Sequence, residues 1–116
     1  MTLKEELKQF YGTENYYKVI PFAPYVITDG VKYFVDKASA YWLVTDIMCN
    51  KQSKDLKDED FIVIKTTKTD KGVVVNYEDG NKNKLYKETY PYSKLPDDGE
   101  FTLWMENNVI LLPSEH

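Results

Sequence analysis

From Val31 to Cys49 the run VKYFVDKASAYWLVTDIMC places apolar residues at helical spacing, and Val31, Phe34, Val35, Ala38, Trp42 and Cys49 share one face. In its second half Ala40, Leu43, Val44 and Ile47 form another apolar face. Asp46 and Asn50 are then the main strongly polar positions after Lys37. A helix apolar on two sides is sandwiched between layers or lends one side to a partner. The chain is expected to pack around this stretch. Residues 31–50 form one helix or a hairpin arm plus a helix, and Ser39 is a candidate break between two shorter helices.

Upstream, Thr2 and Glu5 have the capping-box form, and Leu3, Leu7, Phe10 and Tyr11 make one apolar edge as far as Gly12, so residues 3–11 read as a short helix. Pro21 and Pro24 interrupt the next segment, leaving Tyr16–Ile20 and Tyr25–Thr28 as short strands or extended arms. Asp29-Gly30 reads either as a hairpin turn or, with Thr28, as a helix start. The helical spacing that follows favours the helix start. Residues 50–60 are polar and read as a solvated loop. Beyond Phe61 the chain is strand-like: FIVIKTTKT, VVVNY, KLYKETYPY, FTLWM and VILLP, with turns at Asp79-Gly80-Asn81 and Glu106-Asn107-Asn108. The expected fold is α+β, a single domain over residues 1–116. An antiparallel meander of about five strands in the C-terminal half would pack against one or two helices from the N-terminal half.

Composition narrows the function. Ten Tyr among 116 residues exceeds ordinary usage, and Tyr serves both packing and contact surfaces. The net charge is −4, all fifteen basic residues are Lys, and no Arg occurs. Without Arg the chain lacks the planar fork that reads phosphates and guanine edges in a bidentate way. No apolar run approaches the length of a membrane span, no signal peptide is evident, and one Cys allows no internal disulfide. The expected location is the bacterial cytoplasm. The one His, His116, stands at the end of the sequence, where order is usually poor, so no imidazole is expected to be placed for acid/base or metal chemistry.

Three groups of residues carry candidate chemistry. Asp58, Glu59, Asp60 and Asp97, Asp98, Glu100 are two acidic clusters, read as partner-binding surface or solvated turns, with a metal-dependent carboxylate enzyme as an alternative. Lys82, Lys84, Lys87 and Lys94 interleave with Tyr86, Tyr90 and Tyr92, the pairing by which single-stranded RNA or DNA is held, or else an edge strand protected by Lys. Tyr16, Tyr17 and Tyr41 are candidate aromatic contacts, whereas Trp42 and Trp104 are expected between helix and sheet. Cys49 has no internal His to act as its base and reads as a core residue. Phosphate loops, nucleophile elbows and zinc-type Cys pairs are missing, so no enzyme, cofactor or metal is expected.

The phrases LKEEL, GTENYY, TDGVKY, AYWL and LLPSE, spread over most of the chain, resemble an uncharacterised family of small bacterial and phage proteins. That family has Gly where Ser39 precedes AYWL here, and Leu-Ala where Phe34-Val35 stands. The resemblance implies no catalytic residue. It does imply a setting in phages, plasmids and other mobile elements, where small acidic proteins often bind and disable host defence machinery. The expected function is therefore an anti-CRISPR-like inhibitor that docks on a defence effector protein, a CRISPR nuclease, RNA-targeting ones included, being the first to try. Homo-oligomerisation is a further option.

Overall fold

The computed structural model describes residues 3–70, 72–91 and 100–116. Its elements run α1 (Leu3–Leu7), β1 (Tyr16–Tyr17), β2 (Val26–Thr28), α2 (Asp29–Ala38), α3 (Tyr41–Lys51), β3 (Phe61–Thr69), β4 (Gly72–Glu78), β5 (Lys84–Tyr90), β6 (Glu100–Glu106) and β7 (Val109–Leu111), with a 3-10 turn at Pro113–Glu115. Thr2, of the expected capping box, lies outside the described residues. Helix α1 is shorter than the expected 3–11, because Lys8, Gln9 and Phe10 donate to carbonyls three residues back and so tighten into turns.

Thr28 caps α2 by accepting the Val31 amide, so the segment after β2 is a helix start rather than a hairpin turn. The long apolar run then breaks at Ser39, whose φ of 53° and ψ of 46° are left-handed and whose amide closes on the Val35 carbonyl. The break accounts for the two apolar faces. Helix α2 buries Val31, Phe34, Val35 and Ala38, and α3, re-aimed by the turn, buries Leu43, Val44, Ile47 and Met48. Trp42 is left half-buried and Cys49 exposed. The expectation of a core Cys49 rested on one unbroken helix and is corrected here.

All seven strands join one sheet in the order β1-β2-β7-β6-β3-β4-β5, antiparallel throughout except where β2 runs parallel to β7. The sheet therefore exceeds the five strands expected, because the arms on either side of Pro21 and Pro24 add β1 and β2. Nor is it a simple meander. After β5 the chain returns to pair β6 with the free side of β3, leaving β5 as an edge. The Lys residues of β5 suit that position, since charge on an edge discourages pairing with other chains.

One face of the sheet carries Ile62, Ile64, Val73, Val75, Tyr77, Phe101, Leu103, Met105 and Ile110, all buried in one core with the inner faces of α2 and α3. Phe34 of α2 meets Phe101, and Trp42 of α3 meets Tyr90 of β5 edge-on at 4.8 Å between ring centroids. Trp104 alternates with buried Leu103 and Met105 and points to the opposite face. Its expected place between helix and sheet is thus wrong by one residue of the pleat. There it packs edge-on against Phe61 and His116. The terminal imidazole is accordingly placed, 3.0 Å from the Glu106 carboxylate.

The polar stretch after Asn50 is only partly a solvated loop. Helix α3 extends to Lys51, whose buried ammonium donates to the carbonyls of Leu56 and Lys57, and Leu56 is wholly buried. Those carbonyl partners replace the water that the ammonium gives up on burial. Among the described residues no helix is long and apolar enough to cross a membrane.

Candidate functional site

The segment from Tyr11 to Pro24, between α1 and β2, carries the most exposed aromatic side chains among the described residues. Phe22 is 100% exposed, Tyr11 82% and Tyr16 59%. Exposing a whole phenyl ring is unfavourable unless the ring has a partner in another state. The loop around it is braced: Pro21 and Pro24 restrict the backbone on both sides, and the Ala23 amide closes a turn on the Ile20 carbonyl at 3.1 Å. Such bracing lowers the ordering entropy that binding would otherwise cost.

Asp29, the first residue of α2, fastens this arm to the body. Its carboxylate accepts the amides of Glu14 at 3.0 Å and Asn15 at 3.4 Å and the hydroxyl of Tyr17 at 2.8 Å, while its own amide donates to Thr13 Oγ1. The Glu14 amide, then the Tyr17 hydroxyl, hold the Asp29 carboxyl below the usual carboxylate range. The same bond raises the Tyr17 phenol, and the Lys32 ammonium lies 5.5 Å from the centre of its ring. Tyr41 is 40% exposed, but its hydroxyl is bound to Asp36 at 2.6 Å.

Beside Tyr16, a hollow of about 360 Å³ opens on the face away from the helices. Thr13, Thr28, Glu106, Asn107 and His116 supply its polar lining, and Val109 and Leu111 its apolar part. Glu115, also in the lining, is fully engaged: it accepts the Thr28 hydroxyl at 2.6 Å and the amides of Gly30 and Leu112, both at 3.0 Å. Its role there is to tie the C-terminal turn onto the start of α2.

A family model matches the chain over residues 1–116. The chain belongs to DUF6876, a family of unknown function. No curated protein and no solved structure matches it. Within this DUF6876 chain the motif phrases converge on the start of α2. Glu6 of LKEEL accepts the Tyr33 hydroxyl, Thr13 and Tyr17 of GTENYY bind Asp29, and Glu115 of LLPSE binds Thr28 and Gly30 of TDGVKY. These contacts bind an N-terminal arm, a helix start and a C-terminal turn into one unit. Their evident work is structural, and it is the exposed rings carried on that unit that remain to be explained.

The other residues singled out in the sequence are dispersed. Asp58 and Asp60 are exposed and Glu59 half-buried in the loop before β3, and the Asp60 carbonyl accepts the Asn107 amide at 2.8 Å. Glu100 starts β6 opposite Thr67, whereas Phe61, next to Asp60, lies opposite Glu106 at the other end. Glu100 is thus separated from Asp60 by about six residues of strand, roughly 20 Å, and the two do not share one end of the sheet. Asp97 and Asp98 lie outside the described residues. Among the described residues no group of three His, Cys, Asp or Glu side chains converges as a metal site would require.

On β5 the pleat splits the Lys and Tyr residues. Tyr86 and Tyr90 lie on the helix-covered side opposite Tyr77 and Val73, and Lys87 projects from the other. The Tyr90 hydroxyl lies 2.6 Å from Asp46 and 2.5 Å from Glu88, Tyr86 bonds to Glu88, and Asn50 bridges Glu88 to Tyr77. Burial pushes the Glu88 carboxyl up, but the bonds from Tyr90, Asn50 and Tyr86 together bring it below its ordinary value. Rings tied to carboxylates in this way are poor platforms for bases, so the alternation of Lys and Tyr along the sequence does not become one mixed surface. Lys82 and Lys84 are exposed in the turn and first rung of β5, and Tyr92 and Lys94 lie outside the described residues. Sequence reasoning missed Tyr11 and Phe22. The available signal was an apolar residue between two prolines, outside any helical or alternating pattern.

Proposed function

We propose that this DUF6876 chain is a non-enzymatic binding protein that docks on a partner protein through Phe22, with Tyr11 and Tyr16 contributing. The observation that carries this reading is the complete exposure of Phe22 on a loop braced by two prolines. Aromatic side chains on a rigid support are the usual anchors of protein interfaces, inserted into an apolar pocket of the partner. The partner class we propose is a bacterial defence effector, with a CRISPR nuclease first among those to test. That part rests on the mobile-element setting implied by the sequence resemblance and on the acidic net charge, which suits a competitor for a groove built to hold nucleic acid. Asp58 and Asp60, exposed beside the β6–β7 turn, would supply that competition.

The test is interference relief in cells carrying a CRISPR effector nuclease, paired with binding of the purified proteins by calorimetry. The wild-type chain is expected to bind and relieve interference. Phe22→Ser should lose at least about tenfold in affinity, as the removal of a central aromatic anchor does, with an unchanged thermal midpoint because the ring makes no core contact. Inhibition by Phe22→Ser equal to wild type would reject the aromatic anchor. Absence of binding to every effector tried would reject the partner class.

A further inference from the structure

The hollow of about 360 Å³ beside Tyr16 is walled by elements from both ends of the chain. Tyr16 of β1 stands on one side, Glu106 and Asn107 at the β6–β7 turn on the other, and Val109 and Leu111 of β7 line the space between. Its polar groups divide into those already engaged and those still open. The Thr28 hydroxyl donates to Glu115 and accepts the Val31 amide, and the Thr13 hydroxyl donates to the Asn15 carbonyl and accepts the Asp29 amide. Glu106 Oε2 faces His116 Nε2 at 3.0 Å. By contrast, Glu106 Oε1, the Asn107 side-chain amide and the Tyr16 hydroxyl have no protein partner among the described residues.

The lining holds two carboxylates, Glu106 and Glu115, and no Lys. The surface beside it is acidic as well, since the exposed Asp60 accepts the Asn107 amide on its carbonyl at 2.8 Å. Such surroundings favour a cation, and the apolar walls favour one carried on a hydrocarbon stem. The volume is near the lower end of the roughly 300–1,000 Å³ of ligand cavities, which suits one long side chain rather than a large cofactor. Asn107 is held ready for it. Its φ of 55° is left-handed and its amide is anchored on Asp60, so the side chain is presented on a fixed turn.

We propose that this hollow receives a lysine or arginine side chain of the partner protein. The stem lies along Val109, Leu111 and the Tyr16 ring, and the charged head meets Glu106 and Asn107, with Tyr16 adding a cation–π contact. This rests on the docking reading above and extends it, because Tyr16 belongs both to the exposed arm and to the hollow. It also gives the acidic end of the sheet a specific counterpart, since a groove built for nucleic acid carries such side chains.

The test is a nuclear magnetic resonance titration of the full chain with Nα-acetyl-lysine amide and its arginine counterpart, against Nα-acetyl-norleucine amide as the uncharged control. At least one cation should shift the Tyr16 and Asn107 signals saturably, with a dissociation constant on the order of 1 mM for a ligand of this size. Norleucine amide should not. Glu106→Gln should weaken the cation about tenfold and Asn107→Gly, which keeps the left-handed turn, about threefold. Equal shifts from norleucine amide, or cation binding indifferent to both substitutions, overturn the proposal. Spermidine bound more than about a hundredfold more tightly than either amide would assign the hollow to a free polyamine and overturn it too. In binding to a partner protein, a Glu106→Gln chain equal to wild type beside a weakened Phe22→Ser chain would reject the hollow and leave the aromatic anchor standing. The amide titration needs no partner, so it decides even where no effector binds.

Discussion

Glu115 Oε2 accepts the backbone amide of Gly30 at 3.0 Å, joining residues 85 apart in the sequence. The same carboxylate takes the Thr28 hydroxyl and the Leu112 amide, so one side chain satisfies three donors at a helix start that is buried under the C-terminal turn. Glycine is required opposite it: a Cβ on residue 30 would lie 2.5 Å from Leu112 Cδ1 and 2.7 Å from Glu115 Oε1.

Replacing Glu115 with Ala should therefore destabilise the fold by roughly 2–4 kcal/mol, the penalty for leaving buried donors without an acceptor. Gly30→Ala should cost about 1–3 kcal/mol through overpacking. Urea denaturation followed by tryptophan fluorescence measures both. Midpoints within experimental error of wild type would show that the C-terminal turn does not hold α2 in place.

Ser39 occupies a left-handed conformation that glycine adopts without penalty, and the resembling family sequences have Gly at this position. Ser39→Gly is expected to stabilise the chain by about 1 kcal/mol. Its side chain is exposed, so no packing is lost. A lower midpoint in the Gly variant would mean that the α2–α3 turn is held by something other than backbone preference.

That position also shows where the sequence was legible and where it was not. Helical spacing located both helices, and the Thr28 cap and the Asp79 and Asn107 turns could be read from local chemistry, because each is set by residues close in sequence. The direction of α3 could not be read, since one left-handed residue decides whether Trp42 and Cys49 or Leu43 and Met48 face the core. The strands of the second half were visible, but not their order: pairing β6 with β3 and β2 with β7 depends on contacts distant in the chain, which alternation does not encode. Tyr16 was picked out by residue type and is exposed, whereas Phe22 was missed because hydrophobic patterns report burial and its significance is the lack of it.

Asp29 gives the arm a pH dependence. Its folded-state carboxyl lies below the ordinary value of about 3.9, so the folded chain binds that proton less readily than the unfolded one. The stabilisation is complete above the ordinary value and is lost as the pH falls through it toward the lower folded value. Acidification from pH 5 toward pH 2 should thus loosen the Thr13–Tyr17 segment, read as shifts of the Glu14 and Asn15 amide signals in NMR spectra. Asp29→Asn should remove that component of the acid slope. An identical slope in the variant would assign it to other carboxylates.

At the other end of the sheet, Tyr77 and Tyr90 predict the alkaline behaviour. Burial pushes both phenols well above their ordinary value of about 10, and at Tyr90 the bonds to Asp46 and Glu88 add to it, since a phenolate there would face two carboxylates. Both phenols are thus harder to ionise in the folded chain than in the unfolded one. Their contribution is fully present below the unfolded value and lost as the pH rises above it. Ultraviolet titration should find these two tyrosines protonated until the chain unfolds, and stability should fall with increasing slope above about pH 10. Tyr90→Phe should lower stability at neutral pH by roughly 1.5–3 kcal/mol, the worth of a hydrogen bond to a charged acceptor, and make the alkaline slope shallower. A Tyr90→Phe variant as stable as wild type at pH 7 would mean that the hydroxyl contributes nothing to holding α3 on β5, which would then rest on the Trp42–Tyr90 ring contact and the Asn50–Glu88 bond.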